Sequence, residues 1–395
     1  MRTLKRLIRH VFYYVLDALV SAFLRSTSST PQLLLVRLDA IGDFVIWLDS
    51  AKVFRSLYPN GRIVICVNLT VFDLAAALPH WDEVVAVDIA RFSNSFRYRF
   101  KLLLQLRRCG FDTAIQPTFS RVFLHGDSII RATGAKHRIG SIGDVTNTHL
   151  FLKQISDSWY TRLVPAVADP LMELERNAEF MRNLSGQAFT ASIPVLPQLK
   201  HLPDPLKVQS PYFVIFPGAS WAGRQWPVSK FSQVAVTLYQ ANGWVPVLCG
   251  GSDDRLACQS VIDHSGLTLA INLCGLTNLV ELAELLRSAE LLVSNETSAV
   301  HIALAVSTPS VCVLGGGHYG RFMPYPSGIN AMNSVVVTHR MPCYNCNWHC
   351  TQLHPAGGPV PCVANVTVKS VLEQVDVVLA RDGNHGAALG ERQIQ

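Results

Sequence analysis

The stretch Leu291–His301, LLVSNETSAVH, indicates the fold class of this chain and the place where a ligand would bind. Its first part, Leu291–Ser294, has the composition of a buried strand, and an acid, two hydroxyls and a histidine follow that strand directly. In an open α/β sheet, ligands bind in the crevice outside the carboxyl ends of the strands. Hydroxyl groups and free backbone N–H groups at a helix start suit a phosphate group. The stretch therefore predicts that the second half of the chain binds a nucleotide or another phosphorylated ligand.

Short apolar runs alternate with helical periods on both sides of this stretch. In the first half, Leu33–Val36 and Arg62–Val67 are predicted strands, and in the second half Tyr212–Phe216 and Val245–Cys249 are. Strands that alternate with helices are typical of a parallel sheet. A proline-rich linker, Pro194–Pro211, separates the two halves.

We therefore predict an α/β protein with two Rossmann-like parallel-sheet domains that face a cleft. The predicted organisation is a helix in residues 1–30, domains in residues 31–198 and 205–380, and a disordered tail in residues 381–395. The Gly, Asn and Gln residues of the chain end support the tail prediction. Neither domain opens with Gly-x-Gly-x-x-Gly after its first strand, which disfavours a nicotinamide or flavin dinucleotide.

The N-terminal segment combines a basic start with an apolar stretch, Val11–Leu24. This stretch contains Asp17 and is shorter than the roughly 20 residues that a membrane span needs. The pattern predicts a basic amphipathic helix that lies in the cytoplasmic interface of a membrane. The alternative is a helix that packs on the protein or on another subunit. A net charge of +6 favours anionic partners, whereas the lack of an Arg/Lys block argues against nucleic acid.

The first domain opens with the turn Gly42-Asp43 after its first strand. A carboxylate at the start of the next helix can take a proton from a hydroxyl nucleophile, so Asp43 is the candidate catalytic base. Asp39 is a second candidate four residues earlier. The alternative for Asp43 is a helix N-cap, which is a common role for aspartate.

The second domain opens with a turn of small residues, Gly218, Ala219 and Ser220. Such residues can bring backbone N–H groups against a phosphate. Arg224 follows and can supply a fixed positive charge to a diphosphate leaving group. The alternative is a loop whose Trp residues pack a domain interface.

A second turn of this kind, residues 315–317, follows a predicted strand at Val311–Leu314 and adds Gly316 and Gly317 to the predicted ligand site. The adjacent acids Asp253 and Asp254 also follow a pair of glycines. Adjacent acids in a loop favour a solvated turn over a metal site.

Four of the ten cysteines lie close together in the sequence: Cys343, Cys346, Cys350 and Cys362. Their spacing suits a tetrahedral site for zinc or iron, which would be structural because all four positions are filled. A reduced cysteine-rich loop and two disulfides are the alternatives. The other six cysteines are scattered, as expected for buried residues of a reduced cytoplasmic protein.

Taken together and in order, these motifs resemble those of glycosyltransferase family 9, the bacterial heptosyltransferases, between about residue 32 and residue 378. Six segments carry the resemblance: Val36–Asp43, Phe111–Gln116, Arg138–Gly140, Phe216–Pro227, Asn272–Thr277 and Asn295–His301. Some members that modify autotransporter proteins are also similar in having a cysteine-rich metal motif near the C-terminus.

The resemblance implies a GT-B fold whose C-terminal domain binds most of the nucleotide sugar. It implies inverting transfer of a heptose from an ADP-sugar to an acceptor hydroxyl, with no catalytic metal or other cofactor. Asp43 matches the proposed general base, and Arg224 matches a basic residue near the diphosphate. The residues that match the family's donor-binding motif are Glu296, Thr297, Ser298 and His301.

Two departures leave the donor open, because Glu296 and Ser298 stand where the family usually has Asp and Gly. The expected acceptor is a lipid-linked saccharide, such as lipopolysaccharide core. The alternatives are a protein acceptor, another nucleotide sugar, or a non-catalytic scaffold that binds the donor.

Overall fold

The structure is a computed structural model that describes residues 2–23, 32–329 and 331–392. The chain divides into two compact units, which are Met1–Asp169 with Leu174–Ala191, and Pro170–Glu173 with Ser192–Gln395.

The first unit is built on a parallel sheet of six strands in the order β3-β2-β1-β4-β5-β6. The strands are β1 (Gln32–Arg37), β2 (Arg62–Asn68), β3 (Glu83–Val87), β4 (Thr113–Gln116), β5 (His137–Ser141) and β6 (Arg162–Val164). The strand order reverses between β1 and β4, where an open sheet of this kind binds its ligand. The helices are α1 (Arg2–Val20), α2 (Ile41–Leu57), α3 (Phe72–Ala76), α4 (Ile89–Asn94), α5 (Phe96–Cys109), α6 (Ser128–Thr133), α7 (Leu150–Asp157) and α8 (Glu173–Ser185).

The second unit repeats this plan with the sheet order β12-β11-β10-β7-β8-β9. The strands are β7 (Tyr212–Phe216), β8 (Val245–Leu248), β9 (Ile271–Asn272), β10 (Leu291–Asn295), β11 (Ser310–Val313) and β12 (Ser334–Val337). The order reverses between β7 and β10, which pair in parallel. The helices are α9 (Val228–Asn242), α10 (Arg255–Ser265), α11 (Leu279–Arg287), α12 (Ser298–Ala305), α13 (Pro361–Ala364) and α14 (Val368–Arg392).

Both sheets are covered by helices, and this explains the composition of their central strands. Phe213, Ile215, Val293 and Val311 are fully buried in one core cluster of the second unit. Strands that are buried on both faces become continuous apolar runs instead of alternating patterns. The α/β class with two Rossmann-like sheets is therefore confirmed.

Helix α1 packs one face onto the first unit through Tyr13, Asp17 and Val20, which are all buried. The Asp17 carboxylate pairs with buried Arg99 on α5, at 2.7 Å between Oδ1 and Nε. One face of α1 therefore packs on the protein, as the alternative prediction states, and another face stays exposed. Met1 and residues 24–30 of the predicted N-terminal segment lie outside the described residues. None of the helices that the structure describes is long and apolar enough to cross a membrane.

The structure continues α14 to Arg392, through most of the segment for which the sequence predicts a disordered tail. No proline follows Pro361, and good helix formers such as Ala387, Ala388 and Leu389 compensate for the glycines between them. Residues 393–395 lie outside the described residues.

Candidate functional site

In the second unit, a loop at residues 217–226 connects β7 to α9 and is fixed at both ends by Asn295. The Asn295 amide nitrogen donates to the carbonyl oxygen of Pro217 at 2.6 Å, and its oxygen accepts from the Trp226 N–H at 2.9 Å. Asn295 is fully buried at the end of β10. A buried amide that satisfies both its donor and its acceptor groups orders the backbone it contacts. The loop that carries Gly218, Ala219, Ser220 and Arg224 is therefore held across the point where the strand order reverses.

Arg224 and Glu296 form the electrostatic centre of this site. The Arg224 guanidinium lies 3.2 Å from the Glu296 carboxylate and donates to the Glu296 carbonyl oxygen at 2.8 Å. It also donates to Ser220 Oγ at 3.3 Å. Arg224 keeps partial exposure whereas the Glu296 side chain is 5% exposed. The structure therefore brings together three residues that the sequence predicted for one site.

Burial dominates the chemistry of Glu296. Desolvation raises the pKa of the Glu296 carboxyl to about 7, although the nearby charge of Arg224 opposes this shift. A buried carboxylate is costly because it loses its hydration. At neutral pH this group can therefore either donate or accept a hydrogen bond to a ligand hydroxyl.

Thr297, Ser298 and His301 lie at the start of α12, as the sequence predicts. Thr297 is the N-cap and its hydroxyl accepts from the Ala299 N–H at 3.3 Å. His301 is buried, and its Nδ1 lies 3.0 Å from the Tyr325 hydroxyl. Burial lowers the pKa of His301 to about 4, so its ring is neutral at physiological pH.

Two turns predicted to bind phosphate differ in what packs against them. A Cβ on Gly218 would lie 2.2 Å from the carboxyl carbon of Asp254, so any larger residue there would force this half-buried acid to move. The sequence favours a solvated turn for Asp254, and it does not reveal that this residue lies beside Gly218. The Gly316 N–H points to Cys362 Sγ at 3.4 Å, and a Cβ on Gly317 would meet the Trp348 ring.

In the first unit, Asp43 lies in the first turn of α2, and Ala40 is the N-cap. The N-cap alternative for Asp43 is therefore wrong, because α2 already begins at Ile41. Buried Arg37 at the end of β1 donates to the Asp43 carbonyl oxygen at 3.4 Å. It also pairs with Asp39 at 2.7 Å, and Thr118 donates to the same carboxylate. Asp39 is thus engaged in structural contacts, and Arg37 is a positioning residue that the sequence did not single out.

All ten cysteines are free thiols in the structure. Cys343, Cys346, Cys350 and Cys362 line one small cavity together with Trp348 and Tyr344. Burial and the three neighbouring thiols raise the pKa of Cys362. Within the described ranges, no three His, Cys, Asp or Glu side chains are grouped as a bound metal ion would require.

Two Rossmann-like sheets, each with polar side chains at the reversal of its strand order, place this protein in the GT-B class of glycosyltransferases. The sequence model of glycosyltransferase family 9 (heptosyltransferase) matches residues 99–350, and the chain belongs to this family. It is 32% identical to a lipopolysaccharide heptosyltransferase 3 of Escherichia coli over 298 residues, 73% of this chain and 84% of that protein. A lipopolysaccharide heptosyltransferase 3 from strain K12 is 35% identical over 127 residues, 32% of this chain and 37% of that protein.

Solved structures show the same fold at low identity. The ADP-heptose lipopolysaccharide heptosyltransferase II of E. coli superposes with a TM-score of 0.65 at 20% identity, covering 89% of this chain and 99% of that one. The dodecameric iron-containing heptosyltransferase TibC, solved with ADP-D-beta-D-heptose, superposes with a TM-score of 0.53 at 15% identity. That match covers 91% of this chain and 78% of TibC.

Glu296 should make the stability of the ligand-free protein depend on pH. Its folded pKa of about 7 lies above the ordinary value of 4.5, so the folded state binds the proton more tightly than the unfolded chain. The resulting stabilisation is complete below about pH 4.5 and is lost as the pH rises through about 7. We expect the wild type to lose up to about 3 kcal/mol relative to Glu296→Gln between pH 5 and pH 8.

Urea unfolding of both proteins across this pH range measures the difference. The comparison isolates Glu296, because His301 and all other groups titrate in both proteins. Glu373→Gln on the exposed surface of α14 is the matched control and should follow the wild type. A pH-independent difference between the wild type and Glu296→Gln would contradict the raised pKa.

Proposed function

We propose that this protein transfers a heptose from ADP-heptose to a hydroxyl group of a lipid-linked saccharide, such as lipopolysaccharide core. The observation that carries the proposal is the Arg224–Glu296 pair beside the loop that Asn295 fixes. The site offers a cation, small residues and a carboxyl group with a raised pKa at the ends of parallel strands, where a nucleotide sugar binds in folds of this class. Membership of the heptosyltransferase family supports the choice of sugar.

The donor roles in the proposal follow from the chemistry of the side chains. Arg224 binds the diphosphate, because its planar guanidinium can contact two oxygen atoms at once. The backbone of Gly218, Ala219 and Ser220 and the start of α12 at Thr297 and Ser298 provide further N–H groups. Glu296 forms a hydrogen bond with a hydroxyl group of the nucleotide sugar, either as donor or as acceptor. Neutral His301 lies on the same helix, α12, one turn after Ser298.

The proposed reaction is a single inverting displacement without a catalytic metal. The acceptor oxygen forms a bond to the anomeric carbon while the bond from that carbon to the diphosphate oxygen breaks. Asp43 takes the proton of the acceptor hydroxyl. ADP leaves with the bonding electron pair, and the positive charge of Arg224 stabilises the developing negative charge.

The proposal also assigns the acceptor to a membrane surface at the cytoplasmic face of the inner membrane. The exposed face of α1 supports this assignment, because Ile8, Phe12, Val15 and Leu19 recur with helical spacing and are each about half exposed. Arg9 on α1 and Arg97 on α5 are exposed basic residues, and the Arg97 guanidinium lies over the Phe96 ring, which meets the Phe12 ring edge-to-face. An apolar helix face bordered by cations suits a bilayer of anionic lipid.

A structural zinc or iron ion held by Cys343, Cys346, Cys350 and Cys362 is the last part of the proposal. Four thiols that line one cavity are soft donors of the kind that suits either metal, and they would have to move closer together to bind an ion. TibC, which has a similar fold, is described as iron-containing. Such an ion would close the loop 343–362 and would take no part in the transfer step.

Donor binding is tested first, by calorimetric titration of the purified protein with ADP, GDP, UDP and CMP. We expect ADP to bind most tightly and Arg224→Ala to weaken it by about tenfold to a hundredfold, since a charged hydrogen bond is lost. Lys369→Ala removes an exposed charge on α14 and is the matched control. Preference for another nucleotide would replace ADP in the proposal, and no binding of any nucleotide would contradict it.

Asp43→Asn distinguishes an enzyme from a donor-binding scaffold. Turnover with ADP-heptose and a lipopolysaccharide-core acceptor should fall by about a hundredfold or more, because the base is lost. The affinity for ADP should stay unchanged, because Asp43 has no proposed contact with the donor. Full activity in this variant would remove Asp43 from the mechanism.

Membrane binding is tested with Phe12→Ser, Val15→Ser and Leu19→Ser combined, by flotation with phosphatidylglycerol vesicles. Loss of roughly 1 kcal/mol per exposed side chain should reduce vesicle binding at least tenfold. Deleting α1 would be a poor test, because that deletion leaves Arg99 buried without Asp17. Leu256→Ser, at another exposed position, is the control. Unchanged flotation of the triple variant would exclude this face.

The metal is tested by elemental analysis of the purified protein. We expect about one zinc or iron ion per chain, and less in Cys346→Ser, because a four-thiolate site loses affinity with each ligand removed. Cys109→Ser in the first unit controls for the loss of a thiol elsewhere. Wild-type protein without zinc or iron would contradict the proposed site.

A further inference from the structure

The cysteine-rich loop, residues 343–362, is docked on the glycine turn that follows β11. The N–H groups of Asn345 and Asn347 donate to the carbonyl oxygens of Gly316 and Gly317 at 2.7 and 3.0 Å. The Asn347 side chain also contacts His318 Nε2 at 2.5 Å. These bonds hold the loop against the turn without using the cysteines.

Two glycines of this turn, Gly315 and Gly317, make room for the side chain of Trp348. A Cβ on Gly315 or Gly317 would lie 2.5 or 2.3 Å from the Trp348 ring, which is closer than any real contact. The rings of His318 and Trp221 meet the same indole edge-to-face at 6.0 Å. The position of Trp348 is therefore fixed by packing from several sides.

The backbone also holds Trp348 in an unusual conformation. Its φ angle is 60°, and Asn345 and Asn347 have φ angles of 64° and 51°. Asparagine tolerates this left-handed region, whereas a bulky residue is strained there by about 1–2 kcal/mol per residue in the general case. Backbone strain of this kind persists where the surrounding structure requires one placement of a side chain.

The indole in this placement lies against the Arg224 guanidinium. The guanidinium carbon is 5.0 Å from the centre of the Trp348 ring, within the range of a cation–π contact. Ser220 and Glu296 contact the guanidinium nitrogens. A long arginine side chain loses conformational freedom when it is ordered, so a preformed stacking surface lowers the entropy lost when it binds an anion.

We propose that Trp348 is a positioning residue for Arg224, through which the cysteine-rich loop becomes part of the donor-diphosphate site. The inference rests on the proposed function in one respect, that Arg224 binds the diphosphate. The cysteine-rich loop then has a role in donor binding beyond its own stability, whether or not it holds a metal.

The test is a double-mutant cycle on ADP affinity, measured by calorimetry on the full chain. Trp348→Ala should weaken ADP binding by about tenfold, and Trp348→Phe should retain most of the affinity because it keeps an aromatic face. In an Arg224→Ala background, Trp348→Ala should not weaken ADP binding any further. Leu353→Ala, at a fully exposed position of the same loop, is the matched control.

If Trp348→Ala weakens ADP binding equally with and without Arg224, the inference is overturned. It is also overturned if Trp348→Phe binds ADP no better than Trp348→Ala. A second readout needs no ligand, since the ring current of Trp348 should shift the Arg224 Nε–H proton resonance, and Trp348→Ala should abolish this shift. If the wild type binds no ADP, the proposed function fails. The chemical shift of the Arg224 Nε–H proton then tests separately whether Trp348 positions Arg224. A wild-type signal without a ring-current shift would overturn that part.

Discussion

In the second unit, the conformation of the loop between β7 and α9 depends on the buried side-chain amide of Asn295. It joins the end of β10 to both ends of the loop that follows β7, through Pro217 and Trp226. Aspartate at this position could not donate to the Pro217 carbonyl, and an apolar residue would leave both backbone groups unsatisfied in the core. Because Glu296 is the next residue, the same strand end also sets the carboxylate that pairs with Arg224.

Arg37 has a comparable place in the first unit. It ends β1, beside the reversal of strand order, and binds Asp39, the Asp43 carbonyl and Asn177 from a buried position. In both units a buried polar side chain at the end of a central strand therefore orders a loop or helix start at the same edge of the sheet. Parallel sheets bring such strand ends to one edge, so local order at one residue becomes order of the whole site.

The sequence predicts the class, the sheets and most of the second-unit site, because strand composition and strand-end chemistry are local properties. Asn295 lay inside the decisive stretch without an assigned role, since its partners are about 70 residues away. Gly316 and Gly317 have the sequence pattern of a phosphate-binding turn. The close packing of Tyr344 and Trp348 against them explains equally well why both positions are glycine. That contact depends on the path of the cysteine-rich loop, which no local pattern encodes. The continuation of α14 to Arg392 is not evident from composition, because glycines that disfavour a helix alternate there with good helix formers.

The burial of Glu296 bears on how this site would accept a diphosphate. A permanently ionised carboxylate 3.2 Å from Arg224 would compete with the incoming phosphates for the same cation and repel them. A pKa of about 7 removes much of this conflict, because the carboxyl can take up a proton as negative charge arrives. Phosphate binding would raise that pKa further, so binding of the donor and protonation of Glu296 are linked. Arg224 would then exchange a buried acid for a diphosphate while its guanidinium keeps its contact with the Trp348 ring.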